Sequence, residues 1–289
     1  MAYVRGQFIG AGGFGQVYKY KKNNNELVGK HVSTPCDDHE EHTVMKMMTS
    51  NKYVVKYIDT RMHDETTRVI FMEYCSHGNM LDLINEQRMC QNTMTLHDVQ
   101  KTLRFNLKVF YMVCKGVKSM HEKGVVHHDI KPENVFLANN KWWWKDVIVK
   151  LGFVSTKTSK DVIAKLGDFG MASRGKCTDS MGTRGHMAPE VLAKELHGIE
   201  ADVWSMGVML HQLMHFGDLP FGKPKSKADL IMRVAQNVQT NPVCEQLFPT
   251  IYDVLTRMLQ LDRSKRVDMT VVKSAIKAII VQNRRHPAV

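Results

Sequence analysis

Apolar residues recur along this chain with two different periods, and the change from one to the other divides it. From Tyr3 to about Glu73 short runs of strand length dominate. Phe8 to Gly10 and Val17 to Lys21 are joined by glycines, Asn23, Asn24 and Asn25 mark a hairpin turn, and Leu27 to Val32 follows as a third strand. One helix interrupts this unit, with Asp37 and Asp38 as caps ahead of Val44, Met45 and Met48 on one face. Val54 to Ile58 and Arg68 to Glu73 predict two further strands.

Beyond Gly78 the spacing lengthens to three and four residues. Leu96, Val99, Leu103, Leu107, Phe110, Val113, Val117 and Met120 predict one long helix from Thr95 to a stop at Gly124. Asp202 to Phe216, Ala228 to Asn237, Ile251 to Leu259 and Thr270 to Gln282 predict more helices. The expected fold class is therefore α+β and two-lobed. A small β-rich lobe with one helix occupies about 1–75, and a larger, mostly helical lobe about 76–289. Binding sites favour such junctions.

An eight-residue string, Lys145 to Gly152, recurs at Lys160 to Gly167 with seven of eight residues the same. One repetition cannot build a solenoid, so the reading is a local duplication in a surface insert at about 138–160. Trp142, Trp143 and Trp144 fall in the same insert. They offer a docking surface for a partner, with anchoring of the loop on the helical lobe as the equal alternative.

Three strings carry candidate chemistry. Gly10, Gly12, Gly13 and Gly15, with Phe14 and Val17, form a GxGxxGxV turn between two predicted strands, where backbone amides can approach phosphate oxygens. A tight hairpin explains that string alone about as well, and a dinucleotide-binding turn is disfavoured because a strand follows it. Lys30 ends the third strand, and its meaning depends on a carboxylate to hold it. Glu41 is the candidate and Glu40 the alternative. The strongest string is Val126 to Asn134, VHHDIKPEN: Asp129 suits acceptance of a hydroxyl proton, Lys131 suits steadying of a phosphoryl group, and Asn134 suits Mg²⁺ ligation. Asp168, ahead of Phe169 and Gly170, adds a second oxygen donor for metal.

Together these strings resemble the eukaryotic protein kinase family over nearly the whole chain. GxGxxGxV, Lys30, HxDxKxxN and DFG are followed by Gly182 to Glu190, by Asp202-Val-Trp204 with Gly207, and by Leu261-Asp262 with Arg266. The resemblance implies the bilobal protein kinase fold over 1–289, with Asp129 as catalytic base, Asn134 and Asp168 on Mg²⁺, and Lys30 with Glu41 orienting the phosphates of ATP. It also implies a nucleotide cradle that includes Ile9, Val28, Met72 as gatekeeper, Glu73 to Cys75 as hinge, Asn79 near the ribose, and Phe136. Glu190 and Arg266 resemble the ion pair that braces the helical lobe. Lys131 and Thr183 resemble the serine/threonine branch, with Thr183 bonded near Asp129.

The chain also departs from that pattern. His128 replaces the arginine beside the catalytic aspartate, Val28 an alanine, and His186 a tyrosine. Asp179 stands where a regulatory phosphoresidue is common, between Thr178 and Ser180. Either activity needs no phosphate on this loop, or Thr178 or Ser180 is modified and pairs with other cations. A pseudokinase scaffold is the rival reading, supported only by His128 and the insert, because Lys30, Asp129 and Asp168 are all retained.

Composition changes this picture little. A content of 43% hydrophobic and 24% charged residues excludes disordered and collagen-like classes, and no apolar run is long enough to cross a bilayer. The 40 Lys and Arg against 29 Asp and Glu suit phosphate or acidic partners, but no basic stripe is present and nucleic acid is not an expected partner. The start lacks a secretory pattern, so an intracellular setting, cytoplasmic or nuclear, is expected. The six cysteines form no CxxC pair, so neither a zinc nor a redox motif is signalled.

Overall fold

The computed structural model describes residues 2–13, 15–33, 40–139, 162–236 and 241–285. The caps expected at Asp37 and Asp38, the cradle residue Phe14 and the tryptophans Trp142 to Trp144 lie outside these residues.

The first lobe is one antiparallel sheet, β1 (Val4–Gly12), β2 (Gly15–Lys22), β3 (Asn25–Ser33), β4 (Tyr57–Met62) and β5 (Thr67–Glu73), in the order β1-β2-β3-β5-β4. Asn23 and Asn24 turn the β2–β3 hairpin with φ of 51° and 63°. Two successive left-handed residues match the twist of the strands, and asparagine tolerates them. Helix α1 (Glu40–Met48) lies against the sheet and buries Val44, Met45 and Met48.

The strand expected at Val54 to Ile58 is displaced: β4 begins at Tyr57. Val54 and Val55 are buried, and their backbone turns to the other lobe, where the Val55 N–H donates to the Leu166 carbonyl at 2.8 Å. The apolar pair marks a junction between lobes rather than a sheet edge.

In the second lobe, α2 (Met80–Cys90) starts at a capping box made by Asn79 and Asp82. Helix α3 (Leu96–His121) follows, capped by Thr95 and Asp98. Its predicted face is buried from Leu103 to Met120, but Leu96, in the first turn, is exposed. Gly124, at φ 69°, ends the segment. Short strands β6 (Val125–Val126) and β9 (Ser173–Arg174) pair, as do β7 (Val135–Asn139) and β8 (Val162–Leu166). The insert thus leaves from β7 and returns into β8, which is built from the second copy of the duplicated string.

Next come α4 (Pro189–Leu192), α5 (Ile199–Met214), α6 (Lys227–Ala235), α7 (Pro242–Leu247), α8 (Ile251–Met258) and α9 (Met269–Arg285). Helix α5 is buried almost all round and forms the centre of this lobe. Arg266 reaches Glu190 with both Nη atoms, at 2.5 and 2.7 Å, and also bonds the carbonyls of Gln260 and Glu200. No helix among the described residues is long and apolar enough to cross a membrane.

Candidate active site

A cavity of about 760 Å³ opens between the lobes. Ile9, Gly12, Gly13, Gly15, Val17, Val28 and Lys30 line it from β1 to β3, and Met72, Glu73 and Cys75 from β5 and the connection to α2. Asn79, Asp129, Lys131, Phe136, Asp168 and Thr183 line it from the second lobe. Among the residues expected here, Gly10 and Asn134 do not line the cavity. Gly10 is paired to Val17 in the sheet, and Asn134 is turned to Asp129.

The glycine turn has two kinds of position. At Gly15, φ is 125° and a Cβ would sit 2.0 Å from the His31 carbonyl oxygen, so only glycine fits. Gly12 and Gly13 face open space within 4 Å, leaving their backbone accessible from the cavity.

Lys30 is buried on β3 and donates to both Glu41 oxygens, at 2.7 and 3.0 Å, and to Asp168 at 2.8 Å. Burial works against the ammonium, but Glu41 and Asp168 outweigh it and raise its pKa above the ordinary lysine value. Burial likewise opposes ionisation of Asp168, yet the Lys30 charge holds that carboxyl below its usual range. Lys30 and Asp168 are therefore both charged at neutral pH.

Asp129 is held at both carboxylate oxygens. One carboxylate oxygen accepts from the Thr183 hydroxyl at 2.8 Å, and the other from the Asn134 amide at 3.1 Å and faces Lys131 Nζ at 2.7 Å. Lys131 also donates to Thr183 at 2.8 Å, closing the cluster. The amide nitrogen of Asn134 is spent on Asp129, which leaves its carbonyl oxygen as the donor atom for a cation.

Asp202, buried at the start of α5, holds this loop from beneath. It accepts from the backbone N–H groups of His127 at 2.9 Å and His128 at 3.0 Å, and it contacts His121 Nε2 at 2.9 Å. Burial would raise its pKa, but the His121 bond and the neighbouring imidazoles lower it. His128 has φ of 66°, a left-handed backbone that a non-glycine residue adopts only under constraint. Burial pushes its imidazole below the ordinary value, so the ring is neutral at physiological pH.

The residues expected as the hinge differ in what their side chains do. The Glu73 carboxylate is held by Lys165 at 2.7 Å and by the Lys56 N–H at 2.6 Å, so it is an anchor of the connection. Burial, with the Glu73 charge beside it, raises the Cys75 thiol to about 12, so it is protonated at neutral pH. Asn79 lines the cavity, but its Oδ1 is engaged as the cap of α2, accepting the Asp82 N–H at 3.0 Å. His186, which replaces a tyrosine of the family pattern, is buried against Gln212 at 2.8 Å.

This arrangement agrees with a match over most of the sequence: the protein kinase domain family model covers residues 3–276. The chain belongs to the protein kinase family. Similar chains include mitogen-activated protein kinase kinase kinase 4 of Homo sapiens, 28% identical over 273 residues, 91% of this chain and 15% of that protein. Cell cycle serine/threonine-protein kinase CDC5/MSD2 of Saccharomyces cerevisiae is 25% identical over 294 residues, 93% of this chain and 36% of that protein. Serine/threonine protein kinase OSK3 of Oryza sativa is 27% identical over 287 residues, 94% of this chain and 49% of that protein. The chain spans less than half the length of each. Its fold is the bilobal α+β kinase fold, and the family uses ATP with a divalent cation.

The residues here fit those groups: Asp168 and Asn134 offer hard oxygen donors, and Lys30 is a fixed, buried cation on the wall of a cavity with open backbone at Gly12 and Gly13. Sequence reasoning missed Asp82, which lines the cavity, and gave no role to Asp202 or Lys165. Asp82 carried a readable signal, three positions after Asn79 in a capping box.

Proposed function

We propose that the chain is a serine/threonine protein kinase, one catalytic domain over 1–289, that phosphorylates Ser and Thr hydroxyls of protein substrates with ATP and Mg²⁺. The observation that carries this reading is the Asp129 carboxylate, fixed by Thr183, Asn134 and Lys131 on the cavity wall opposite the glycine turn. Bound Mg²⁺-ATP supplies the transferable γ-phosphoryl group. Asp129 accepts the proton of the attacking hydroxyl, Lys131 steadies charge beside it, and Asn134 and Asp168 hold the cation. Lys30, kept in place by Glu41, aligns the phosphates, and the backbone at Gly12 and Gly13 covers them. Catalysis here is positioning and charge stabilisation. Asn79 and Asp82 both line the cavity and each has one side-chain oxygen engaged in the α2 capping box, so the second Asp82 oxygen and the Asn79 amide are the groups suited to the ribose hydroxyls.

The serine/threonine assignment rests on the Lys131–Thr183 bond and on the names of the relatives. The test is incubation with γ-labelled ATP, Mg²⁺ and a generic basic protein, followed by phosphoamino-acid analysis. Phosphoserine and phosphothreonine are expected. Phosphotyrosine would overturn the branch, and absence of label would leave the pseudokinase scaffold.

A further inference from the structure

Three side chains that no short motif connects meet beneath the catalytic loop. His128 precedes Asp129, Cys177 lies in the segment between Asp168 and Glu190, and His197 lies just before α5. The Cys177 Sγ is 3.7 Å from His128 Nε2 and 3.4 Å from His197 Nε2, and one ligand atom from each residue lies within 4.8 Å of the other two. A tetrahedral zinc ion, with Zn–S of about 2.3 Å and Zn–N of about 2.0–2.1 Å, places its sulfur and nitrogen ligands about 3.6 Å apart. The two observed S···N separations are already close to that value.

The surroundings prepare the two imidazoles, while burial raises the Cys177 thiol above its ordinary value, so the ion has to displace its proton. His197 Nδ1 is 2.8 Å from the Glu195 carbonyl, so it carries the proton and leaves the Nε2 lone pair toward Cys177. Cys177 and His197 are fixed by a backbone bridge, with N–H to carbonyl distances of 3.0 and 2.9 Å in the two directions. His128 is buried, and its imidazole is uncharged and thus able to ligate. Asp179 acts on that imidazole through space and adds negative charge nearby. The set is one thiolate and two imidazoles, a combination that suits zinc over magnesium or calcium.

We propose that His128, Cys177 and His197 form a zinc site that ties the catalytic loop to the 168–190 segment and to the start of α5. Binding breaks the Cys177 S–H bond, releases that proton to solvent and forms the Zn–S bond. The Ser173 hydroxyl, now 2.8 Å from His128 Nε2, turns away from that nitrogen. Three protein ligands leave the fourth position to water, so the ion is exchangeable. It would order the 168–190 segment by coordination and not by a phosphate on Thr178 or Ser180. The site is independent of the nucleotide cavity, because none of its three ligands lines that cavity.

The test needs no turnover, so its failure is distinct from failure of the kinase reading. The full chain is dialysed against Zn²⁺ with excess Mg²⁺ to fill oxygen-donor sites, freed of loose metal, and its zinc content is measured. In parallel Co²⁺ replaces Zn²⁺ and the visible and near-ultraviolet spectrum is recorded. The expected result is about one zinc per chain, a tetrahedral cobalt spectrum with a thiolate charge-transfer band, and loss of both in Cys177→Ser and in His197→Gln. Metal content that both substitutions leave unchanged, or bound cobalt without the thiolate band in the parent chain, overturns the proposal. The cobalt spectrum of the parent protects the test should a variant fail to fold.

Discussion

Asp202→Asn is the substitution that separates support of the catalytic loop from the chemistry performed on it. The carboxylate is 1% exposed and receives the His127 and His128 N–H groups while contacting His121. Asparagine keeps the shape but offers one acceptor oxygen and turns an NH₂ toward a backbone donor. At least one charge-assisted hydrogen bond, of about 1.5–3 kcal/mol, is lost and the remaining ones become neutral. Relief from burying a charge offsets part of this, leaving a net cost of about 2–4 kcal/mol. The sign with pH follows from the lowered carboxyl pKa in the fold: the stabilisation is present above the unfolded value of about 3.9 and is lost as the pH falls through the folded value. Urea unfolding of parent and variant at neutral pH and near pH 3.5 should show a gap that narrows at the acid end. Because His128 holds a left-handed φ only under this constraint, Asp129 should lose its position as well, with turnover falling by up to about 10²-fold. A variant within about 0.5 kcal/mol of the parent at neutral pH would refute the reasoning.

The other predictions address separate parts of the molecule. Arg266→Met strands the buried Glu190 carboxylate and should cost about 3–5 kcal/mol in urea unfolding, and Glu190→Gln in the same chain should recover part of it. Lys30→Met removes the cation between Glu41 and Asp168 and should weaken Mg²⁺-ATP binding by about 10- to 150-fold in calorimetry. Thr178→Ala with Ser180→Ala should retain at least about half of the parent turnover, because Asp179 already supplies negative charge there. His215 is held down to about 4 by burial and by the stacked His211, and its Nε2 lies 3.0 Å from the Tyr252 hydroxyl. Its contribution should therefore be lost as the pH falls from about 6.5 to about 4, by about 1–2 kcal/mol once its partial exposure is allowed for, and His215→Gln should flatten unfolding stability across that window.

What was readable in the sequence was whatever short-range chemistry decides. Paired asparagines specify the β2–β3 turn, and eight apolar positions at helical spacing specify α3, with only Leu96 left outside because the first turn projects beyond the core. Asp129, Lys131 and Asn134 are within one string, so their cluster was visible, and Thr183 joined it through the resemblance. Long-range pairing was not visible. Val54 and Val55 look like strand residues because burial and strand propensity select the same side chains, yet their partner is Leu166, more than a hundred residues later. Helices α4 and α7 are too short to display a period, although each begins with a proline. Cys177 meets His128 and His197 only through the fold, which is why a search for CxxC spacing finds no metal signal.

The central claim is that Asp129, set by Thr183, Asn134 and Lys131, takes a proton from an alcohol while the cavity holds Mg²⁺-ATP. Its most direct test is the rate of labelled phosphate transfer to protein by the parent chain and by Asp129→Asn, at saturating Mg²⁺-ATP and with nucleotide binding measured on both. The account predicts transfer by the parent, a fall of about 10²–10⁴-fold in the variant, and similar nucleotide affinity in the two. Equal transfer by both chains, or none by a parent that binds Mg²⁺-ATP, would contradict it.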